Sequence, residues 1–130
     1  MLFYTDILFA PPRLPMFDFE KLEVYQLAKN QNMKVYQYQS DAAKMEPELL
    51  DRWKKASLNI VLNLAEGTGR MLGNEKKQYY ILSRSSVFEC VALLDFCLQM
   101  NWIDKAKYDE FYDIYEQLSK MLLAMYRNVQ

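Results

Sequence analysis

Histidine is absent from the 130 residues. Its absence removes the commonest general base and metal ligand at neutral pH, and with it the Glu-x-x-His pairs that di-iron bundles need. Cysteine is nearly absent too: only Cys90 and Cys97 occur. Seven residues apart in a helical pattern, they are separated by roughly 10 Å along the axis, beyond disulfide reach, and read as buried thiols. Three glycines and four prolines, with 52% apolar and 25% charged residues, fit a globular helical chain and not a disordered one. No apolar run approaches the roughly 18 residues that a membrane-spanning helix requires. An excess of either charge sign is also missing. The formal net charge is -1, which gives no overall pull toward phosphate backbones.

The length fits one domain with a core of its own. Residues 1–16 read as an arm outside that domain, disordered or preceding a true start at Met16; residues 17–130 read as the folded domain. Met1 to Pro15 lacks a basic leading region, carries Asp6 early and is broken by Pro11, Pro12 and Pro15, so it makes a poor signal peptide. The expectation is a cytoplasmic protein.

What is present is helical periodicity. From Asp18 to Tyr38, Phe19, Leu22, Tyr25, Ala28, Val35 and Tyr36 recur at spacings of three and four, predicting a first helix. A polar link, Gln39 to Glu46, leads to Pro47, which suits the first position of a second helix. There Leu49, Trp53, Ala56, Ile60 and Leu64 form a bundle seam. Gly67 is expected to end that helix as a left-handed cap, and Asn74 to cap a third running to about Met100. A short turn, Asn101 to Ile103, precedes Asp104, the expected cap of helix four, with Ile103 and Tyr108 placed as a hydrophobic staple. Tyr108, Phe111, Tyr115, Leu118, Leu122 and Met125 then step as a heptad seam. The fold class is therefore all-α: an up-down-up-down four-helix bundle.

The third helix carries too much apolar surface. From Val87 to Met100 only Glu89, Asp95 and Gln99 are polar or charged, whereas a bundle helix needs a single apolar stripe. With no membrane span available, another copy of the chain is the simplest cover.

Candidate chemistry is sparse. Asp109, Glu110, Asp113 and Glu116 read as the solvated face of helix four. Gly67-Thr68-Gly69-Arg70 follows a helix instead of a strand and lacks the lysine spacing of a phosphate loop. Asn63, Glu66 and Arg70 cluster at the end of helix two, either as a network tying down the turn, within the chain or across a subunit interface, or as a polar binding site for a small ligand. Arg84 occupies a seam-like slot between Tyr80 and Val87, where pairing with Glu66 or Glu89 would make it a specificity device. Between Arg52 and Arg84 seven basic residues face two acidic ones. Arg52, Lys54, Lys55, Arg70, Lys76 and Lys77, interleaved with Trp53, Tyr79 and Tyr80, are the candidate contacts to nucleic acid; against that stand the core role of Trp53 and the ordinary solvation of helical lysines. No catalytic, cofactor or metal residue emerges, and the protein reads as non-enzymatic.

The string Lys55-Ala56-Ser57-Leu58-Asn59-Ile60-Val61-Leu62-Asn63-Leu64-Ala65-Glu66-Gly67-Thr68-Gly69-Arg70 resembles the signature of the 23S rRNA intervening-sequence proteins. Leu22-Glu23-Val24-Tyr25 with Ala28 looks like that family's first-helix pattern, and Arg84 to Glu89 like its third-helix element, with Ser85 where the family has glycine. The likeness covers roughly Phe17 to Tyr126. It implies a bacterial bundle that assembles as a homopentameric barrel, with no established enzymatic activity and RNA or an RNA-associated protein as the expected partner. A relative similar in fold, the accessory variability determinant of diversity-generating retroelements, implies an alternative: a nucleic-acid-binding accessory factor for a reverse transcriptase.

Overall fold

The computed structural model describes residue 14, residues 16–38 and residues 45–130. Most of the expected arm and most of the expected Gln39 to Glu46 link therefore lie outside the described residues. A 3-10 turn at Asp18–Lys21 leads into four α-helices: α1 Glu23–Gln37, α2 Pro47–Gly69, α3 Gly73–Gln99 and α4 Lys105–Asn128. The first helix is thus shorter than its periodicity predicts. Leu22 is extended, at φ -82° and ψ 130°, and its side chain packs on the core, so the ladder restarts at Glu23 while the Gln26 side-chain amide donates to the Glu20 carbonyl.

Pro47 does stand in the first turn of α2. Asp104 caps α4 by accepting from the Lys107 N–H at 2.8 Å, and Ile103 beneath it is buried with Tyr108 packed on the same core. Between α3 and α4, Asn101 takes a positive φ of 60°, a conformation asparagine tolerates better than most residues. The Asn101 N–H donates to the Leu98 carbonyl and the Trp102 N–H to the Cys97 carbonyl. This is the paired Schellman pattern, which satisfies two carbonyls that the helix end leaves bare.

Two expected caps are not used. Gly67 lies inside α2, no glycine has a positive φ, and the helix runs on to Gly69 before Arg70 turns extended. Lys76 Nζ donates to the Thr68 carbonyl at 2.8 Å and the Arg70 N–H to the Gly67 carbonyl, so two of the terminal carbonyls are satisfied without a left-handed residue. Gly67 is needed for room: a Cβ there would stand 2.8 Å from the Tyr80 ring and 2.9 Å from Tyr79 Cβ. Asn74 is likewise no cap, because α3 begins one residue earlier behind an extended Leu72.

Helix α2 packs on α1 and α3, and α4 on α3 and α1, closing a four-membered cycle around one core. Phe17–Phe19 lies beside Ala65–Gly69, while Tyr38 meets Trp53 at the other end, so α1 and α2 are antiparallel. Arg52 meets Glu89 and Ile60 meets Ser83 across α2 and α3, and Arg84 meets Ser119 while Cys90 meets Tyr115 across α3 and α4, so α3 is antiparallel to both neighbours. The α3 seam is Tyr80, Ser83, Val87, Cys90, Leu94 and Cys97, all buried, with Val91 and Leu98 flanking it. Ser83, not Arg84, takes the slot between Tyr80 and Val87. Its hydroxyl donates to the Ile60 carbonyl at 2.7 Å, which removes the cost of burying an unpaired polar group.

The opposite side of α3 also carries large apolar side chains, set among Gln78, Ser85, Asp95 and Gln99. Ile81, Leu82, Phe88, Phe96 and Met100 are exposed, Phe88 by 56% and Phe96 by 46%. The remaining three helices do not hide this surplus. Among the described residues no helix is long and apolar enough to cross a membrane.

Candidate functional site

The α2–α3 corner is built by its own side chains. Arg70 reaches back one turn to Glu66 at 2.7 Å and forward to the Tyr79 hydroxyl at 2.7 Å, its guanidinium 4.6 Å from the Tyr79 ring centroid. Thr68 donates to the Ala65 carbonyl. Of the three residues expected to cluster here, Glu66 and Arg70 meet, while Asn63 is half-buried one turn earlier and takes no part in these bonds. The hydrogen bond from Arg70 to Glu66 raises the guanidinium pKa further, so the arginine stays charged. Tyr79, the third member, was not legible as such, because nothing in the spacing of residues 70 and 79 places them together.

Arg84 does not pair with Glu66 or Glu89. Its Nε donates to the Ser119 carbonyl on α4 at 3.1 Å, and its guanidinium lies 4.8 Å from the Phe88 ring centroid. Both carboxylates are taken by nearer cations: Glu66 by Arg70 and Glu89 by Arg52 at 2.9 Å.

The six candidate nucleic-acid contacts do not gather on one face. Arg52 and Lys55 line a groove of about 450 Å³ between α2 and α3, in company with Glu48, Asp51 and Glu89. Lys54 lies on the α1 side, 5.6 Å from the Tyr36 ring centroid. Lys76 and Lys77 belong to the far end, Lys77 over the Tyr126 ring at 5.2 Å. Thirteen residues along α3 separate Lys76 from Glu89, the partner of Arg52, or about 20 Å at 1.5 Å per residue.

A larger groove runs between α3 and α4 on the outside of the bundle, about 690 Å³ in volume. Val87, Val91 and Tyr115 form its floor, Phe88 and Tyr112 its walls, and Arg84 and Asp95 lie toward opposite ends. Beneath it the fully buried Tyr115 hydroxyl accepts from Trp53 Nε1 at 2.9 Å, with Cys90 and Ser57 beside the same oxygen. Burial raises the Tyr115 phenol pKa well above its usual value, and pushes the thiols up, Cys90 to about 12 and Cys97 to about 11. Neither thiol is a nucleophile at neutral pH, since the thiolate is the reactive form. Both cysteines are free and buried, as their spacing implied. This polar cluster inside the core went unread because Trp53 and Tyr115 show in sequence only as apolar seam positions.

The acidic face of α4 is solvated and locally neutralised, with Lys105 on Asp109, Lys107 and Lys34 on Glu110, and Lys120 near Glu116. Among the described residues no group of three or more Cys, Asp or Glu is placed to hold a metal ion.

The sequence model of the family described as 23S rRNA-intervening sequence protein matches residues 20–124, which takes in all but the last turn of the bundle. The chain belongs to that family. Among curated proteins none matches the sequence. The matched segment carries both the closed α2–α3 corner and the α3–α4 groove.

Proposed function

We propose that this protein is a non-enzymatic scaffold subunit: a bundle that assembles with copies of itself into a ring, a homopentamer by the family likeness, and presents the ring to RNA or to an RNA-associated protein. The single observation that carries this reading is the outer face of α3. Exposed apolar patches of that extent on a compact bundle mark interaction surfaces, and a chain that buries a full seam on the other side of the same helix has no internal use for them. The raised thiol pKa values support the non-enzymatic part, since neither cysteine offers a thiolate nucleophile at neutral pH.

Sedimentation velocity tests the assembly. The expected species at micromolar concentration has about five times the 15.5 kDa of the chain; a single 15.5 kDa boundary overturns the reading. RNA contact through Lys55, Lys76 and Lys77 predicts binding that weakens as salt rises, with a slope that falls when Lys76 and Lys77 are replaced by alanine. A ring repeats each dispersed cation on every subunit, so modest local contacts add up on one long partner. No retention of a structured RNA at 50 mM salt removes this part and leaves the scaffold.

A further inference from the structure

We infer that the α3–α4 groove is the socket of the subunit junction and that α1 of the neighbouring copy fills it; this rests on the ring assembly proposed above. A ring of five contains no two-fold axis, so every junction is heterologous and the groove must meet a different surface of the next copy. Helix α1 is that different surface. In the packing cycle α1, α2, α3, α4 it lies diagonally across the bundle from α3. A copy that accepts a neighbour at α3 therefore keeps α1 clear of that junction and free to enter the next one.

Direction, height and charge agree with this pairing. Helices α1 and α3 run the same way, and rotation about an axis along the bundle keeps them parallel between copies. The same rotation preserves height, which the contacts to α4 allow to be compared. Lys34 reaches Glu110 on α4, and Arg84 reaches Ser119. The nine residues between those two α4 positions place Lys34 about nine residues C-terminal of Arg84 in height, within two residues, or about 3 Å, of Asp95. Glu23, eleven residues before Lys34, then falls level with Arg84, eleven residues before Asp95. Rotation brings Lys34 of one copy to Asp95 of the next and Glu23 to Arg84, opposite charges in both cases, about 16 Å apart. Asp95 is exposed, and the exposed Met33, one residue before Lys34 on α1, brings an apolar side chain to the Asp95 end of the groove.

The test is a charge exchange read by sedimentation equilibrium, with far-UV circular dichroism and thermal melting confirming that each variant is folded. Asp95→Lys alone and Lys34→Asp alone are each expected to raise the concentration at half-assembly about tenfold or more, because like charges then face each other at every junction. The double variant Asp95→Lys/Lys34→Asp restores opposite signs and is expected to return within about threefold of the original. Lys34→Gln, which removes the charge without adding repulsion, should fall between the original and Lys34→Asp. An assembled chain whose mass is indifferent to the single changes overturns the junction while leaving the ring, and so does a double variant that is weaker than either single. A native chain that is monomeric throughout overturns the junction and the ring together.

Discussion

Both faces of α3 carry large apolar side chains, and the two sets meet opposite fates. One holds Val87, Leu94 and the two thiols without exposure to solvent, while the other holds Phe88, Phe96 and Met100 about half in water. Hydrophobicity alone therefore does not say which side of this helix is the core. Spacing does: Tyr80, Ser83, Val87, Cys90, Leu94 and Cys97 step three, four, three, four, three, in register with the heptad seam of α4. A face with that register is closed by the chain itself, and a face without it is left for something else to close.

The largest effect that sharpens this contrast comes from cutting the inner face. Leu94 is completely buried, and Leu94→Ala should lower unfolding free energy by about 2–5 kcal/mol, the range for a leucine cavity that relaxes only in part. Urea denaturation of protein held below its assembly concentration measures it. A loss under 1 kcal/mol would mean that the seam is loosely packed and that the two faces differ less than their exposure suggests.

The thiols on the same seam give a pH dependence. Folding holds the Cys90 thiol up to about 12 and Cys97 up to about 11, whereas an unfolded cysteine ionises near 8.5. Above that point the unfolded state binds fewer protons than the folded one, so stability is fully present below about pH 8.5 and falls as pH rises toward the folded values. The slope is about 1.4 kcal/mol per pH unit for each thiol while it lasts. Melting temperature should be level from pH 7 to 8 and drop between pH 9 and 11, and Cys90→Ala should make that drop shallower. An equal drop in the variant would assign the alkaline loss to other groups, the buried Tyr115 first among them.

Glycines at the corner separate crowding from flexibility. Gly67→Ala would drive a methyl into Tyr79 and Tyr80 and should cost about 1–3 kcal/mol by overpacking. Gly69 has nothing within 4 Å of where a Cβ would stand and no positive φ. Gly69→Ala is therefore expected to stabilise by about 0.4–1 kcal/mol through the unfolded chain. Chemical denaturation of the pair checks both signs, and a stabilised Gly67→Ala would show that the tyrosines yield.

These cases mark what the sequence disclosed. The α2 and α4 seams, the Pro47 and Asp104 starts, the buried thiols and the surplus on α3 were legible, because each is a matter of spacing or of one residue's backbone chemistry. Gly67 was misread as a left-handed cap since a glycine near a helix end carries the same letter whether it serves φ or space, and only the approach of Tyr80 decides. Arg84 was misplaced in the seam by one residue because serine counts as polar in a pattern, although Ser83 is satisfied by the Ile60 carbonyl. The Arg70–Tyr79 contact and the Trp53–Tyr115 bond join residues whose separation follows no helical period, so they appear only when the helices are packed.

The smallest expected effect on folding is the sharpest probe of the outer face. Phe88→Gln and Phe96→Gln remove apolar side chains that are about half in water already, and changes at such positions ordinarily move monomer stability by no more than about 0.5 kcal/mol. If the outer face serves assembly, the same changes should shift sedimenting mass strongly toward the single chain while the urea midpoint of the dilute protein barely moves. Phe88 also stacks on the Arg84 guanidinium, so a somewhat larger folding loss at residue 88 than at 96 is expected from the released cation–π contact. Equal and large folding losses at both, with mass unchanged, would instead show that the outer stripe stabilises each chain from within and that the contrast between the two faces of α3 is one of exposure without function.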